Sequence, residues 1–311
     1  MMKFVYFGSS EYSNGVLKYL YDHGYKPSLI VSKPDSSKGR GLKLLPTEVS
    51  LFAVEKNIPL VRPGSLKDKI IENQLLEEKA DFFLVADYGI IIPSYILDIP
   101  KRHSLCVHPS LLPRYRGPSP IEYSLKNGDT ITGVTIFEIN KLVDAGDIIS
   151  QKQVSIGPEE NYLMLRQRLA EQGAILLVDT LKNINRKEYS LTYQDEKLVT
   201  MTYKFKKEDG KVNWNSSAGE INNLIRATRG WPSAYTYYKD KRIKILFAQI
   251  VDEKSTAFPG TIINVNKKGI ETATADGILL IKKVKPEGKG DMDAWSFVCG
   301  HRVKEGDKFS S

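Results

Sequence analysis

Short apolar runs alternate with amphipathic segments along the first 200 residues of the chain. The runs with the length of buried strands are 3–7, 27–31, 58–61, 81–86, 105–107 and 133–140. The segments with apolar residues at helical spacing are 11–23, 48–56, 66–79 and 162–181. Strands that alternate with helices indicate a parallel sheet covered by helices on both faces. We therefore expect a doubly wound, Rossmann-like α/β domain over residues 1–188. Pro59 marks the run 58–61 either as an edge strand or as a weak strand prediction, because proline cannot donate to a sheet ladder.

The pattern of the chain changes after residue 188. Residues 189–206 are polar, which is typical of a linker between domains. A helix is then predicted over 218–229, and short strands separated by turns follow it. These strands are expected at 234–238, 242–251, 260–264, 270–274 and 278–284. Regularly spaced short strands favour a small OB-like β-barrel over residues 207–311, and barrels of this kind commonly bind nucleic acid.

The positive charge of the chain is concentrated in its last third. Residues 1–200 hold 25 Lys and Arg against 24 Asp and Glu, whereas residues 201–311 hold 20 against 13. The C-terminal domain therefore carries nearly all of the net charge of +8. A basic domain favours an anionic partner such as nucleic acid. The alternative is that the charge only keeps the domain soluble, and composition does not choose between the two.

Several classes of protein are disfavoured by what the sequence lacks. No apolar run approaches the roughly 18 residues of a membrane span, and the first residues enter a strand without a signal-peptide core. The two cysteines and four histidines show neither a disulfide framework nor metal-ligand spacing. The turn after the first strand, Gly8-Ser-Ser, lacks the glycine pattern of dinucleotide sites. We expect a cytoplasmic monomer without a metal or a dinucleotide cofactor.

Candidate chemistry lies at the end of the strand 105–107. Cys106 and His108 point to the same face, because strand side chains alternate, and Pro109 ends the strand. The carboxyl end of a strand is where open α/β sheets bind ligands. Asp144 follows the next strand in a tight Asp-Ala-Gly-Asp turn. A histidine and an aspartate at neighbouring strand ends would form an acid–base pair in which the carboxylate orients the imidazole.

The segment His108-Pro-Ser-Leu-Leu-Pro-Arg-Tyr-Arg-Gly117, followed by Asp144-Ala-Gly-Asp147, resembles the 10-formyltetrahydrofolate-dependent formyltransferases. That family carries Asn-x-His, then Ser-Leu-Leu-Pro, then a downstream catalytic Asp. The resemblance implies that His108 and Asp144 are catalytic and that Cys106 occupies the position of the family Asn. It also implies a folate pocket. The expected pocket residues are Ser110, Leu111, Leu112, Pro113, Asp87, Tyr88 and Gly89.

The segment 33–43 carries four positive charges and is expected to be an irregular loop. Loops of this length are uncommon in compact domains unless they are functional, although a solvated flexible loop is the alternative. The segment resembles the basic loop of the methionyl-tRNA formyltransferases, and the segment 224–236 matches the same group. These likenesses imply contacts with the acceptor end of a tRNA. The residues expected to make them are Lys38, Arg40, Lys43 and Arg226.

The resemblance implies transfer of the formyl group of 10-formyltetrahydrofolate to the α-amino group of methionyl-initiator tRNA during translation initiation. An amino-sugar nucleotide N-formyltransferase is an alternative with the same chemistry and another acceptor. Two further alternatives arise at Cys106, since a thiol is a weaker hydrogen-bond donor than a carboxamide. The chain could be a tRNA- or folate-binding homologue with impaired catalysis, or Cys106 and His108 could carry the formyl group as a thioester. If it is an active enzyme, we expect it to be slow.

Overall fold

A computed structural model describes residues 2–38, 43–251 and 254–311, except for the side chain of Lys38. The chain divides into two compact units, which we call the N-terminal unit and the C-terminal unit. The N-terminal unit comprises Met1–Pro120, Ile131–Ser155 and Arg166–Tyr203. The C-terminal unit comprises Ile121–Thr130, Ile156–Leu165 and Lys204–Ser311. Short pieces of the first 165 residues thus belong to the C-terminal unit.

The N-terminal unit is built on a seven-stranded sheet. In chain order the strands of the whole unit are β1 (Phe4–Gly8), β2 (Leu29–Val31), β3 (Ser36–Lys38), β4 (Lys43–Leu45), β5 (Leu60–Val61), β6 (Phe82–Ala86), β7 (His103–His108), β8 (Ile131–Glu138) and β9 (Ile148–Ser155). The sheet has the order β5-β2-β1-β6-β7-β8-β9, while β3 and β4 form a separate pair. The first five strands of this order, β5, β2, β1, β6 and β7, are parallel to one another, which confirms the predicted parallel sheet. Strands β8 and β9 are antiparallel additions at one edge.

The helices predicted at 11–23, 48–56, 66–79, 162–181 and 218–229 are present, and three further helices in the described residues were not predicted. In chain order the helices are α1 (Glu11–Asp22), α2 (Glu48–Glu55), α3 (Lys69–Glu77), α4 (Ser94–Leu97), α5 (Pro120–Lys126), α6 (Tyr162–Arg186), α7 (Ala218–Ala227) and α8 (Ala294–His301). The side chains of Ser10, Thr47 and Asp68 cap α1, α2 and α3 by accepting from backbone N–H groups, a contact that stabilises a helix by about 1 kcal/mol. No helix within the described ranges is long and apolar enough to cross a membrane.

Central strands of the N-terminal unit are buried on both faces. All five residues of β1 and of β6 are buried, which explains their continuous apolar runs. Phe7 contacts Phe83 with ring centroids 5.2 Å apart, and both rings are fully buried. Burying such a side chain stabilises the fold by about 1.5–3 kcal/mol. The short strand β5 lies at the sheet edge, as Pro59 indicates.

The prediction of an irregular loop over residues 33–43 is wrong for residues 36–38 and 43, which the structure describes as parts of strands. Strands β3 and β4 pair in antiparallel register, with Ser36 opposite Leu45 and Lys38 opposite Lys43. Three-residue strands of serine, lysine and leucine show no alternation, so no local pattern predicted strands there. The residues between the two strands, which include Arg40, lie outside the described residues.

The C-terminal unit contains an antiparallel sheet with the order β10-β11-β14-β13-β12, and β15 pairs with β14. Its strands are β10 (Tyr235–Tyr238), β11 (Lys241–Val251), β12 (Ile262–Asn266), β13 (Gly269–Ala273), β14 (Ile278–Pro286) and β15 (Met292–Asp293). A reciprocal capping box of Ser217 and Glu220 begins α7, and Trp214 stacks on Phe309 in the core with ring centroids 5.6 Å apart. The predicted series of short strands is thus confirmed.

Candidate active site

His108 ends β7 at the carboxyl edge of the parallel strands. Its ring is only 5% exposed, and Nε2 lies 3.0 Å from the carbonyl oxygen of Tyr115. A carbonyl cannot donate, so Nε2 carries the proton of this hydrogen bond. The other ring nitrogen, Nδ1, faces the Asp144 carboxylate, and Nδ1 and Oδ2 are 3.7 Å apart. This gap is longer than a direct hydrogen bond, so the imidazole and the carboxylate face each other without being bonded.

Asp144 reaches His108 by a route that the sequence did not indicate. The two were expected at neighbouring strand ends, but β8 runs antiparallel to β7 and its last residue, Glu138, pairs with Leu105. That position lies three residues before His108, or about 10 Å back along the strand. The loop 139–147 must therefore return toward the carboxyl edge. His108 and Asp144 do face each other, but the strand-end argument that predicted this is wrong, and their acid–base roles stay a prediction.

Asp144 is held in an uncommon backbone conformation. Its φ angle is +49°, in the left-handed region that side chains other than glycine seldom adopt. The backbone N–H of Gly117 donates to Oδ2 of Asp144 over 2.7 Å. A hydrogen bond from a neutral donor to a carboxylate is stronger than one between neutral groups. One oxygen of the carboxylate is thus fixed beside His108.

Cys106 lies on β7 two residues before His108 and is partly buried. Burial, reinforced by the negative charges of Asp144 and Asp87, raises the pKa of the Cys106 thiol well above its usual range. The thiol therefore stays protonated at neutral pH. A protonated thiol is a poor nucleophile, which disfavours the thioester alternative, and it is a weak hydrogen-bond donor.

The segment Ser110–Pro113 forms a turn that is anchored to β8 and β9. Thr135 accepts from the backbone N–H of Leu112 and donates to the carbonyl of Ser110, over 3.2 and 2.6 Å. The Gln151 amide donates to the carbonyl of Leu112 over 2.7 Å. The side chains of Ser110 and Leu112 are buried, whereas those of Leu111 and Pro113 are partly exposed. These contacts fix the segment to β8 and β9, and its place in a folate pocket stays a prediction.

A second turn follows β6 at the same edge of the sheet. Asp87 and Gly89 have φ angles of +40° and +68°, and Ser9 donates to the carbonyl of Tyr88 over 3.0 Å. The Tyr88 ring is buried, and burial raises the pKa of its hydroxyl to about 12. Asp87 and Gly89 are exposed. Large apolar side chains next to the turn and next to Asp144 are also exposed, namely Ile91, Leu142 and Val143.

Two functional candidates were missed in the sequence. Gln194 and Arg116 are 3% and 5% exposed; Gln194 donates to the backbone carbonyl of Asp144, and Arg116 donates to the side chain of Gln194. Gln194 belongs to the segment predicted as a linker, and Arg116 lies in the segment 108–117 without having been assigned a role. A glutamine in a polar stretch carries no sequence signal of burial, so only the fold could reveal it.

The predicted RNA-binding residues are in different settings. Lys43 is exposed on β4, Lys38 lies on β3 with its side chain undescribed, and Arg40 falls outside the described residues. Arg226 lies in the C-terminal unit and donates to the carbonyls of Gly157 and Glu160 over 3.4 and 3.2 Å. Burial lowers the pKa of its guanidinium. Arg226 therefore anchors a loop of its own unit. It also borders a cavity of about 290 Å³ to which none of the candidate catalytic residues contributes.

The arrangement at the sheet edge can perform proton transfer in a largely buried setting. A protonated Nε2 leaves Nδ1 of neutral His108 able to accept a proton, and the Asp144 carboxylate stabilises the imidazolium that results. In the parts of the chain that the structure describes, no group of three or more His, Cys, Asp or Glu side chains is placed to hold a metal ion.

The chain matches two family profiles that together span most of its length. Residues 2–181 match the family described as formyl transferase, and residues 204–302 match the formyl transferase C-terminal domain. A methionyl-tRNA formyltransferase of Thermodesulfovibrio yellowstonii is 39% identical over 307 residues, which is 98% of each chain.

Solved structures share the fold. An N-formyltransferase from Helicobacter canadensis, in complex with folinic acid and dTDP-3-aminofucose, superposes with a TM-score of 0.67 at 19% identity, over 90% of this chain and 98% of that one. HypX from Aquifex aeolicus in complex with tetrahydrofolic acid gives a TM-score of 0.65 at 17% identity, over 97% of this chain. The matched region is 48% of the HypX chain. At these identities the structures support the fold alone.

Proposed function

Because the chain belongs to the formyl transferase family, we propose that it transfers the formyl group of 10-formyltetrahydrofolate to the α-amino group of methionyl-initiator tRNA. The observation that carries this proposal is the full-length likeness to the Thermodesulfovibrio enzyme, which covers 98% of both chains. The acceptor class is also supported by the charge distribution. Residues 201–311 carry a net charge of +7, which suits a phosphate backbone.

The N-terminal unit supplies groups that suit a folate donor. The exposed apolar residues Ile91, Leu142 and Val143 border the Asp87 turn and the Asp144 turn. An aromatic ring system would pack on exposed apolar side chains such as these, and the backbone of the turn at Asp87 would offer polar groups. The donor supplies an activated formyl carbon and a nitrogen leaving group.

His108 acts as the proton acceptor for the attacking amine. Its Nε2 proton is committed to the Tyr115 carbonyl, so Nδ1 is the basic atom, and it faces Asp144 across 3.7 Å. The Asp144 carboxylate, fixed by the Gly117 N–H, stabilises the imidazolium after proton transfer. His108 then returns the proton to the leaving nitrogen. Positioned acid–base groups of this kind contribute about 10²–10⁴-fold to a rate.

Cys106 stands where a stronger donor to the developing oxyanion is expected. Attack on a formyl carbon places negative charge on the formyl oxygen, and a donor beside it lowers the barrier. The protonated Cys106 thiol donates weakly, so this enzyme stabilises the oxyanion less than one with an asparagine at the same position. The protein is thus an active enzyme whose rate of formyl transfer is lower than that of an enzyme with asparagine at position 106.

The acceptor is tested by competition. The protein is incubated with 10-formyltetrahydrofolate and with charged initiator methionyl-tRNA or a nucleotide-linked amino sugar, and both formylated products are measured. We expect a kcat/KM for the tRNA at least about 10²-fold above that for the amino sugar, since only the tRNA uses the basic C-terminal unit. Faster formylation of the amino sugar would replace the proposed acceptor. No product with either acceptor, while tRNA still binds, would favour a homologue with impaired catalysis.

A further inference from the structure

Gln194 makes contacts that a linker residue would not need. Its side chain is 3% exposed within the polar segment 189–206. The amide nitrogen Nε2 donates to the backbone carbonyl of Asp144 over 2.9 Å and to that of Gly146 over 2.7 Å. An amide nitrogen has two protons, so both of its donors are committed to the turn that carries the candidate catalytic carboxylate.

Arg116 fixes the orientation of the Gln194 amide. The guanidinium Nε of Arg116 donates to Oε1 of Gln194 over 3.0 Å, and its terminal nitrogens pair with the carboxylate of Glu196, at 2.8 Å for the shorter contact. Arginine cannot accept a hydrogen bond and a carbonyl cannot donate one. Only one orientation of the Gln194 amide satisfies all three contacts. The Nε2 atom must therefore face the carbonyls of Asp144 and Gly146.

The Asp144 turn needs such a contact because its backbone is strained. Asp144 has a φ of +49°, in the left-handed region that residues other than glycine adopt uncommonly, although aspartate enters it more often than most. Gly146 packs so closely on β8 that a Cβ there would overlap the carbonyl of Glu138. Gln194 holds the carbonyls on both sides of Ala145, and Gly117 holds the carboxylate. The turn is thus fixed from two directions.

The segment around Gln194 is itself fixed to the same unit. Thr192 exchanges two backbone hydrogen bonds with Ile148. The backbone N–H of Arg116 donates to Thr200 over 2.9 Å, and Thr202 donates to the carbonyl of Arg116 over 2.7 Å. The segment 192–202 therefore contacts both the backbone of Arg116 and the turn that carries Asp144.

We propose that Gln194 is a positioning residue that sets the distance and angle between Asp144 and His108. The proposal rests on the catalytic role of Asp144 proposed above. A displacement of about 1 Å at a catalytic group can lower a rate about 10²-fold. Loss of the Gln194 donors should therefore lower kcat by roughly 10- to 100-fold and leave the KM of either substrate within about 2-fold.

Two variants of similar size remove the donors. Gln194→Glu keeps an acceptor for Arg116 but has no N–H for the two carbonyls, and Gln194→Met is neutral and has neither group. The control is Gln153→Ala, an exposed glutamine on β9. Initial rates of formyl transfer to charged tRNA are measured per mole of folded protein, at a temperature at which circular dichroism shows each variant to be folded. We expect both Gln194 variants to lose kcat and the control to keep it.

A double-variant comparison separates positioning from a merely structural role. If Gln194 acts through Asp144, then Gln194→Met should change kcat less than about 2-fold in an Asp144→Asn background. Multiplicative losses, or an unchanged kcat in Gln194→Met alone, would overturn the positioning role. Full activity of Asp144→Asn by itself would instead remove the catalytic role of Asp144, and the role of Gln194 with it.

Discussion

The two units of this chain hold their functional groups in opposite ways. In the N-terminal unit the polar groups of the site are buried and bonded, for His108, Arg116 and Gln194 are each 5% exposed or less. In the C-terminal unit many of the basic side chains are exposed. They include Lys241, Lys267, Lys268 and Lys283.

This difference matches the physical demands of the two proposed tasks. Proton transfer and oxyanion stabilisation depend on distances of a few ångströms and tolerate little displacement. Attraction of a phosphate backbone depends on the number of charges near the surface and tolerates movement of each one. We therefore expect variants of the N-terminal unit to change kcat strongly, and variants of the C-terminal unit to change KM weakly.

The largest effect is expected at His108. His108→Ala removes the proton acceptor and should lower kcat at least about 10³-fold, with the affinity for tRNA unchanged. The control is His103→Ala at the opposite end of β7, where the ring contacts Glu138 and Tyr189. Steady-state kinetics and a filter-binding titration with tRNA measure the two quantities. A comparable loss in both variants would mean that the strand, rather than the proton acceptor, had been damaged.

A gain is expected at Cys106. Cys106→Asn replaces a weak donor by a carboxamide, and one oxyanion donor contributes about 10²–10³-fold in other enzymes. Since the thiol already donates weakly, we expect kcat to rise by up to about 10²-fold. Cys106→Ala serves as the matched variant with no donor and should be slower than the wild type. Equal kcat in all three proteins would show that this side chain does not face the oxyanion.

The two cysteines should differ in reactivity. Burial raises the pKa of the Cys106 thiol, so its thiolate is scarce at neutral pH. The thiolate forms only when the pH is well above the usual pKa of a cysteine thiol. Cys299 is exposed in the C-terminal unit. Alkylation by iodoacetamide at pH 7.5, followed by peptide mass spectrometry, should modify Cys299 at least about 10-fold faster. Faster labelling of Cys106 would indicate an activated thiol and would revive the thioester alternative.

The smallest effects are expected from single lysines of the C-terminal unit. Lys241→Gln and Lys267→Gln each remove one exposed charge and should raise the KM for tRNA by roughly 2- to 5-fold without changing kcat. Lys187→Gln, an exposed lysine that follows α6, is the matched control from the N-terminal unit. A change in kcat in either test variant would contradict the division of tasks between the units.

Local patterns predicted much of the fold and part of the site. Strand and helix periodicity identified the parallel sheet, and the motifs at His108 and Asp144 identified the facing pair. The antiparallel course of β8 was not predicted, because strand direction depends on pairing partners rather than on local sequence.

Residues bonded to distant partners were also missed. Gln194 lies 50 positions from Asp144 and 78 from Arg116 along the chain, so no local pattern relates them. Arg226 was predicted from resemblance to contact RNA, and this stays a prediction; the sequence did not indicate that its guanidinium also donates to carbonyls within the C-terminal unit. A positive charge in sequence does not distinguish a residue that binds a ligand from one that anchors a loop.

The measurement that tests the division between the units most directly is a salt titration of the wild-type enzyme. Formyl transfer from 10-formyltetrahydrofolate to charged initiator tRNA is followed from about 50 to 200 mM salt, a range over which several phosphate contacts weaken strongly. We predict that kcat/KM for tRNA falls steeply and linearly on logarithmic axes while kcat at saturating tRNA changes less than about 2-fold. A kcat that falls in parallel with kcat/KM would contradict the account, as would a kcat/KM that does not respond to salt.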